Sequence, residues 1–338
     1  FKKKNFLMDL NLIIILTLIN LTIFTLFKKI SFFSLVLDRP DNYRKKHKVD
    51  TPLAGGQIFF LNLLIIFILA PEELFYEINL INNNYQLILT IIVISGIFFL
   101  GLRDDMVEIN PNLKLLLLFM MILILLIFDD TLQLKNLRFF FYDNINTGSY
   151  AIFFTILCFL LFMNAFNMFD GMNCQSSILT FFILIFFFNK GILSNFLILL
   201  AIPLVNIAIL NFKGKLFLGD NGTYLISFVF SYLFIKSYNE ELIAFSDDIF
   251  ICMMIPGIDM LRLFIERLLN KKNPFKPDRK HLHHILLNNF GYNKAIIIIF
   301  FLFLITFVPL ILNVNSTIII PGYLLIYLTI IFKYKKIN

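Results

Sequence analysis

The chain has 338 residues, of which 59% are hydrophobic and only 15% are charged. Soluble domains contain about 45–50% apolar residues, and a soluble fold of this length could not hide so much apolar surface from water. The composition therefore excludes a soluble globular protein and predicts a polytopic membrane protein. The net charge of +7 becomes informative only when it is assigned to particular loops.

Eleven apolar runs separated by polar loops predict eleven transmembrane helices, give or take one. In chain order the runs cover residues 7–27, 53–70, 86–102, 113–128, 148–168, 173–188, 196–212, 223–236, 248–269, 295–313 and 317–333. A helix that crosses a bilayer needs about 20 residues, and several runs are near the short end of that range. The pattern predicts an all-α membrane bundle that forms a single domain over residues 1–338.

Lysine and arginine are shared unevenly between the loops on the two sides of this bundle. One set of loops carries 22 of the 29 basic residues, and the other set carries seven. Cytoplasmic loops are enriched in Lys and Arg, so the basic side is predicted to face the cytoplasm, together with the C-terminal tail. The N-terminus is then outside, although residues 2–4 are lysines. Met8 is a candidate for the true start.

The side chains suited to chemistry collect on the predicted cytoplasmic side. They comprise all four histidines of the chain and four carboxylates at span ends, namely His47, His281, His283, His284, Asp104, Asp105, Asp170 and Asp220. None lies at a bilayer centre, where a charge costs about 2.5–3.5 kcal/mol on insertion scales. This placement favours chemistry at the membrane surface over an ion pathway through the membrane.

The first polar loop, DRPDNYRKKHKVDTPLAGG at residues 38–56, combines a basic run with a glycine pair. A positive-inside anchor explains the basic run alone. Gly55 and Gly56 stand at the mouth of the next helix, where backbone N–H groups favour phosphate, and they predict an anion site. His47 and Lys48 are candidate substrate-binding residues of this loop.

The second loop, GLRDDMVEINPNLKLL at residues 101–116, carries adjacent carboxylates. Asp104 and Asp105 are either solvated helix caps or magnesium ligands, since Mg²⁺ is usually held by one or two carboxylates plus substrate phosphates. Lys114, at the start of the next helix, either neutralises a phosphate or is a positive-inside residue. Both alternatives remain open for each of these residues.

Two further loops, NAFNMFDGMN and KGKLFLGDNGTYL, each place a carboxylate beside glycine. Asn167 and Asp170 are at positions i and i+3, so on a helix they share one face. Asp220, between two glycines, fits either a metal ligand or a simple turn between spans. Phe217 is a candidate for stacking on a base, although the chain contains 44 phenylalanines.

The last loop contains three of the four histidines within four residues, in DMLRLFIERLLNKKNPFKPDRKHLHH at residues 259–284. A zinc site would need a fourth nitrogen or sulfur ligand, and the neighbouring Arg and Lys repel a cation. An anion site fits better. His281, His283 and His284, together with Arg267, suit a diphosphate.

Together, these five segments resemble the polyprenyl-phosphate N-acetylhexosamine-1-phosphate transferases, in the order and spacing of that family. Members carry D-x-P…R-K-x-H…P-x-x-G-G, G-x-x-D-D, N-x-x-D-G, L-G-D-x-G and R…P-F-x-P-D-R-x-H-x-H-H. The spaced HxHH, the bare DD pair and the PDR segment resemble the bacterial branch that uses UDP-GlcNAc or a related sugar nucleotide. The phospho-N-acetylmuramoyl-pentapeptide transferase branch shows three consecutive histidines instead. One extra residue between Pro40 and Arg44 departs from the family pattern.

The resemblance implies transfer of N-acetylhexosamine 1-phosphate from a UDP-N-acetylhexosamine to undecaprenyl phosphate, with release of UMP. It also implies Mg²⁺, with Mn²⁺ as the alternative, and a cytoplasmic active site in the bacterial inner membrane. By the same resemblance the site residues take the following roles: Asp220 as metal ligand with Asp104 and Asp105 beside it, Asn167 and Asp170 in the nucleoside and metal region, Phe217 as the uracil-stacking aromatic, and Arg267, His281, His283 and His284 on the diphosphate and sugar.

Two rival functions remain open at this point. Phospho-N-acetylmuramoyl-pentapeptide transfer is the alternative within the family. A transporter or flippase for an anionic lipid would share the apolar spans and basic loops, but it predicts polar residues at mid-membrane, where Asn62 and Asn206 are the nearest. The expected partners are the sugar nucleotide, undecaprenyl phosphate and membrane lipid, and no nucleic acid. The sequence leaves both a monomer and a homodimer open.

Overall fold

The computed structural model describes residues 2–40, 49–70, 74, 81–142, 144–192, 194–271 and 279–334. The predicted site residues His47 and Lys48 lie outside these described residues. All other predicted site residues are described.

Every predicted apolar run corresponds to an α-helix, so the predicted all-α bundle is confirmed. The described residues form α1 (Lys2–Leu26), α2 (Gly55–Leu69), α3 (Asn84–Met106), α4 (Pro111–Phe128), α5 (Ala151–Phe169), α6 (Gln175–Asn189), α7 (Ser194–Phe212), α8 (Gly219–Asn239), α9 (Ser246–Leu269), α10 (Leu282–Ile311) and α11 (Ser316–Tyr334). Two short antiparallel pairs accompany them, β1 (Leu37–Asp38) with β2 (Thr51–Pro52) and β3 (Asn136–Leu137) with β4 (Ile145–Asn146).

Seven helices in the described part of the chain are long and apolar enough to cross a bilayer, and the chain is a multi-pass membrane protein. These segments are Leu10–Lys29, Asn84–Met106, Pro111–Phe128, Gly148–Phe169, Asn195–Phe212, Leu282–Ile311 and Ser316–Tyr334. Helices α2 and α6 are also apolar but have 15 residues each, which is about 22 Å of helix. The eleven predicted spans are therefore eleven helices of unequal length and polarity.

One helix boundary differs from its prediction. The run at residues 295–313 predicted a helix that begins after the histidine segment, but α10 begins at Leu282 and has a break at Gly291, whose φ is 74°. His283 and His284 are thus in the first turn of a helix rather than in a loop. The polar residues between 288 and 294 hid this first part of α10 from an analysis based on apolar runs.

Helix α8 is the centre of the bundle. Each of its residues from Asn221 to Tyr238 is buried, and α2, α3 and α5 pack around it. Because α8 contacts protein on all sides and not lipid, it can carry more polar residues than the outer helices. Its polar residues explain why α8 is not one of the seven helices that are apolar enough to cross a bilayer.

Glycines let α2 and α3 approach the first turn of α8 very closely. A Cβ atom added at Gly56 would lie 1.8 Å from Oδ1 of Asn221, and one added at Gly101 would lie 2.4 Å from Cα of Asn221. No residue with a side chain can occupy these two positions without moving the helices apart. The glycines of three separate motifs therefore meet around one helix start.

The glycine pair before α2 has a different role from the one predicted. The N–H groups of Gly55 and Gly56 donate to the carbonyl oxygens of Phe217 and Leu218, each over 3.1 Å. These bonds join the start of α2 to the loop before α8. The prediction of an anion site on this glycine pair was wrong, because the N–H groups that would bind the anion already have backbone partners.

Three buried asparagines connect α1, α2 and α7. The Nδ2 of Asn20 donates to Oδ1 of Asn62 over 2.7 Å, and the Nδ2 of Asn206 donates to the carbonyl oxygen of Asn20 over 3.0 Å. Polar groups in a hydrocarbon environment need such internal partners. Asn62 and Asn206, the residues nearest to a mid-membrane pathway, thus serve as contacts between helices.

Candidate active site

Four polar side chains from four helices meet at one end of the bundle. They are Asp104 in the last turn of α3, Lys114 in the first turn of α4, Asn167 in the last turn of α5 and Asp220 in the first turn of α8. The Nζ of Lys114 lies 2.5 Å from Oδ2 of Asp104 and 3.3 Å from Oδ2 of Asp220. The Nδ2 of Asn167 donates to Oδ1 of Asp220 over 2.9 Å. We refer to these four residues as the carboxylate cluster.

The turn between α3 and α4 brings Asp104 and Lys114 together. Asn110 caps α4 by accepting the N–H of Asn112 over 2.9 Å, and Pro111 occupies the first helical position, where it costs no hydrogen bond. Oδ1 of Asp104 accepts the N–H of Ile109 over 2.7 Å, which fixes the turn from within. Lys114, in the first turn of α4, consequently lies beside Asp104.

Asp105 has contacts of a different kind. Its Oδ1 accepts the N–H of Asp220 over 2.7 Å, and its Oδ2 accepts the N–H of Asn221 over 3.0 Å. Leu218, at the N-cap position of α8, makes no capping bond with its own side chain, so a carboxylate from α3 caps α8 instead. Gly219 has a φ of +76°, and a Cβ there would lie 2.8 Å from Oδ2 of Asp105. Glycine is therefore needed before Asp220, both for the positive φ and for the close approach of Asp105.

Asp170 follows α5 and is partly buried. The Oγ of Ser176 donates a hydrogen bond to its Oδ1. Burial, aided by the nearby negative charge of Asp220 and opposed by the Ser176 hydrogen bond, raises the pKa of Asp170 to about 6. Asp170 thus titrates close to neutral pH, unlike an ordinary surface aspartate.

The histidine cluster, His281, His283 and His284, packs directly on the turn that follows Asp170. A Cβ at Gly171 would lie 2.0 Å from Nε2 of His283, so only glycine allows this ring to settle there. The rings of His281 and His283 are nearly parallel, with centroids 5.5 Å apart, and those of His283 and His284 are 4.2 Å apart. His281 and His283 are buried, and His284 is the most exposed of the three. The structure therefore joins two motifs that are over 100 residues apart.

Arg267 and Phe217 complete the described residues predicted for substrate binding. Arg267 is buried in the last turn of α9. Phe217 has a half-buried side chain, and its N–H donates to the carbonyl oxygen of Pro52 over 2.9 Å. That bond joins the first loop to the segment that leads into Asp220.

Asp259, which was not among the predicted site residues, lies on α9 beside the histidine cluster. Its Oδ2 is 2.9 Å from Nδ1 of His281, and its Oδ1 accepts hydrogen bonds from the side chains of Arg262, over 2.9 Å, and Tyr327, over 2.8 Å. The available signal was an aspartate and an arginine at positions i and i+3 within an otherwise apolar helix.

The carboxylate cluster has donors that fit magnesium. Asp104 and Asp220 converge on one cation position, which the ammonium group of Lys114 occupies. Among the described residues, no group of three His, Cys, Asp or Glu side chains could hold a metal by itself. Two carboxylates that share the ion with substrate phosphates are the usual arrangement for Mg²⁺, whereas a closed structural site would need more protein ligands.

An apolar cavity of about 500 Å³ lies between α5, α8 and α9. Its lining on α9 runs from Ser246 to Leu261, which is about 22 Å of helix and most of the roughly 30 Å bilayer core. Near the site, the cavity is lined by Ala165 and Met260, which are two residues before Asn167 and one after Asp259. The cavity lining thus extends to within two residues, along the chain, of Asn167 and Asp259.

Comparison with known proteins agrees with this geometry. Residues 87–238, from α3 to α8, match the family model described as glycosyl transferase family 4. The matched segment spans 152 of the 338 residues. It contains the whole carboxylate cluster, and the predicted family resemblance is confirmed.

Curated relatives extend the similarity beyond the matched segment. Undecaprenyl-phosphate alpha-N-acetylglucosaminyl 1-phosphate transferase of Salmonella typhi is 26% identical over 301 residues, which are 83% of this chain and 79% of the relative. The proteins of that name from Thermotoga maritima and Escherichia coli K12 are 26% and 25% identical, over 78% of this chain and 77% and 72% of their own lengths. These matches identify the chain as a membrane transferase.

Proposed function

We propose that this protein transfers N-acetylglucosamine 1-phosphate from UDP-N-acetylglucosamine to undecaprenyl phosphate and releases UMP. The observation that carries the proposal is the meeting of the carboxylate cluster with the histidine cluster at one end of a membrane bundle. The names of the relatives support both the sugar and the acceptor. We further propose that this end faces the cytoplasm of a bacterial cell, because the loops assigned to that side from the sequence carry 22 of the 29 Lys and Arg residues.

The reaction joins a lipid phosphate to a sugar phosphate. An oxygen of undecaprenyl phosphate attacks the β-phosphorus of the UDP-sugar, the bond from that phosphorus to the bridging oxygen breaks, and UMP leaves with the bridging oxygen. Catalysis of phosphoryl transfer requires the protein mainly to align the reacting groups and to neutralise their charge. The attacking phosphate is already anionic near neutral pH, so the need for a general base is small.

Magnesium, with manganese as the alternative, supplies neutralisation of the diphosphate charge when it is bound. We assign Asp104 and Asp220 as its protein ligands, and Asn167 as the residue that orients Asp220. Lys114 neutralises both carboxylates in the free protein, and its ammonium group is within reach of a phosphate at the same position. Through its two hydrogen bonds, Asp105 holds the backbone of Asp220 in place. It contributes to the reaction only through this effect on Asp220.

The remaining site residues are assigned to the donor. Arg267 and the three histidines His281, His283 and His284 suit the diphosphate and sugar, because imidazole and guanidinium groups donate to phosphate oxygens. Asp170 and Phe217 are assigned to the nucleoside. His47 and Lys48, from the basic first loop, remain candidates for phosphate binding.

The apolar cavity is assigned to the isoprenoid chain of the acceptor. Its lining is almost wholly apolar, and it ends within two residues of Asn167 along the chain. A lipid chain in this cavity would place its phosphate next to the carboxylate cluster. Because lipid tails are already out of water, the chain would be held in this cavity by van der Waals contacts with the apolar lining.

The flippase alternative is not favoured by the described residues. It requires polar or ionisable groups that line a route across the membrane. Asn20, Asn62 and Asn206 bond to one another between helices instead. Phospho-N-acetylmuramoyl-pentapeptide transfer is disfavoured by the spaced HxHH segment and by the names of the relatives.

A panel of UDP-sugars tests the proposal. The purified protein in detergent is incubated with undecaprenyl phosphate, Mg²⁺ and each UDP-sugar in turn, and the lipid product is identified by mass. We expect UDP-N-acetylglucosamine to give undecaprenyl-diphosphate-N-acetylglucosamine. Product only from UDP-N-acetylmuramoyl-pentapeptide would favour the family alternative, and no product from any donor would overturn the proposal.

A further inference from the structure

Asp259 is one of the most enclosed carboxylates in the described part of the protein, with 3% of its surface exposed. A buried carboxylate is costly unless hydrogen bonds and charges compensate it. Donors from three helices converge on this one. Arg262 on its own helix, Tyr327 on α11 and Leu282 at the start of α10 all donate to it, and His281 lies beside it.

The contact with His281 selects one state of that ring. Nδ1 of His281 is 2.9 Å from Oδ2 of Asp259, so the carboxylate accepts the Nδ1–H group. The other ring nitrogen, Nε2, is then the one that remains for a substrate group. A carboxylate that fixes the tautomer and orientation of a functional histidine is a recurring arrangement in metal and hydrolase sites.

The contact with Leu282 sets the direction of α10. The N–H of Leu282 lies 3.1 Å from Oδ1 and 3.2 Å from Oδ2 of Asp259. His281 occupies the N-cap position of α10 but makes no capping bond with its own side chain. A carboxylate at a helix N-terminus satisfies free N–H groups and is favoured by the helix dipole. Asp259 therefore caps the turn that carries the histidine cluster.

Arg262 also holds this turn in place, through the residue that precedes His281. One of its guanidinium nitrogens donates both to Oδ1 of Asp259, over 2.9 Å, and to the carbonyl oxygen of Lys280, over 2.7 Å. Its Nε donates to the hydroxyl of Tyr327 over 2.6 Å. The residues on both sides of His281 are thus held to α9 through Asp259 and its partners.

We propose that Asp259 is a positioning residue, which sets the orientation of His281 and of the first turn of α10. It acts on the reaction only through the histidine cluster. This inference rests on the proposed function for its kinetic test, and the spectroscopic test below does not depend on that function.

A double-mutant cycle tests the inference. Asp259→Asn, His281→Ala and the double variant are compared by kcat/KM for UDP-N-acetylglucosamine. We expect Asp259→Asn to lower kcat/KM by about 10- to 100-fold, as for other residues that orient a functional histidine. In the His281→Ala background the same change should lower it by a smaller factor than in the wild type, because the part of the effect that passes through the His281 ring is already absent. Losses that multiply in the double variant would overturn the proposal.

Asp248→Asn is the matched control. Asp248 is a half-buried carboxylate on the same helix, paired with Lys190 over 3.3 Å at the other end of α9. If Asp259→Asn acted merely by weakening α9, the Asp248→Asn variant would lose activity to a similar degree. We expect it to keep its activity, and an equal loss would contradict the positioning role.

The spectrum of ¹⁵N-labelled histidine gives a readout that does not require turnover. The chain has only four histidines, so the His281 signal can be assigned by its loss in His281→Ala. We expect a hydrogen-bonded Nδ1–H signal of His281 in the wild type and its loss in Asp259→Ala, which has no side-chain acceptor, unlike Asp259→Asn. An unchanged signal would overturn the proposal. A changed signal in a protein with no transferase activity would retain the positioning role and reject the proposed function.

Discussion

At the scale of single residues, the adjacent carboxylates Asp104 and Asp105 have different contacts. Asp104 faces Lys114 and Asp220, whereas both oxygens of Asp105 accept backbone N–H groups at the start of α8. The DD pair in the sequence predicts two acidic groups near a metal. It does not reveal that one of them is the cap of another helix, because the hydrogen bond joins residues 115 positions apart.

Asp105→Asn should destabilise the protein, and Asp220→Asn should not. The first change removes a charge-assisted cap, which is worth about 1–2 kcal/mol, and directs an NH₂ group at backbone N–H donors. The Asp220→Asn substitution removes one of several neighbouring negative charges. Thermal unfolding of both variants in the same detergent checks this prediction. Equal stability of Asp105→Asn and the wild type would contradict the capping role.

Asp170 gives a pH-dependent contribution to stability. Its pKa is about 6 in the folded protein, against 3.8 for an unperturbed aspartate, so the folded protein binds the proton more tightly than the unfolded chain. The contribution is therefore present at low pH and is lost as pH rises from about 4 to about 6. Thermal unfolding at pH 4.5 and pH 7 should show a smaller difference for Asp170→Asn than for the wild type. Identical pH dependence in the two proteins would contradict the raised pKa.

At the scale of the elements, the close approach of α3 to α8 depends on glycine. Gly101→Ala should destabilise the bundle by about 1–3 kcal/mol or more, because its Cβ would lie 2.4 Å from the backbone of Asn221. Gly96→Ala is the matched control on the same helix, since its Cβ would meet only the flexible side chain of Met121, at 3.2 Å. The measurement is the melting temperature in detergent. A tolerated Gly101→Ala would contradict the described packing.

Most helices could be predicted from the sequence, because lipid-facing segments must be apolar over a length that spans the bilayer. The start of α10 was missed, since several polar residues between 288 and 294 interrupt the apolar run. The central position of α8 and the pairing of Asp259 with His281 were also missed. Both depend on contacts between distant segments, which periodicity and composition do not encode.

At the scale of the whole molecule, the apolar cavity runs along most of the bilayer core toward the polar end of the bundle. Gly257 lines the cavity and has open space around its Cβ position. Gly257→Leu should raise the KM for undecaprenyl phosphate about tenfold, because the leucine side chain would fill part of the cavity and overpack it against the lipid chain, at a cost of about 1–3 kcal/mol. The KM for the sugar nucleotide should not change. Gly322→Leu, at an open position outside the cavity lining, is the control, and an equal effect of both variants would contradict the assignment.

The central claim is that two carboxylates at one end of the bundle hold a metal on which transfer of the sugar phosphate depends. Release of UMP from UDP-N-acetylglucosamine and undecaprenyl phosphate tests it most directly, with Mg²⁺ present or removed by EDTA, for the wild type and Asp220→Asn. We predict UMP release by the wild type only when both substrates and Mg²⁺ are present, and a loss of about 10²-fold or more in Asp220→Asn. Undiminished UMP release by Asp220→Asn, or by the wild type in EDTA, would contradict the account.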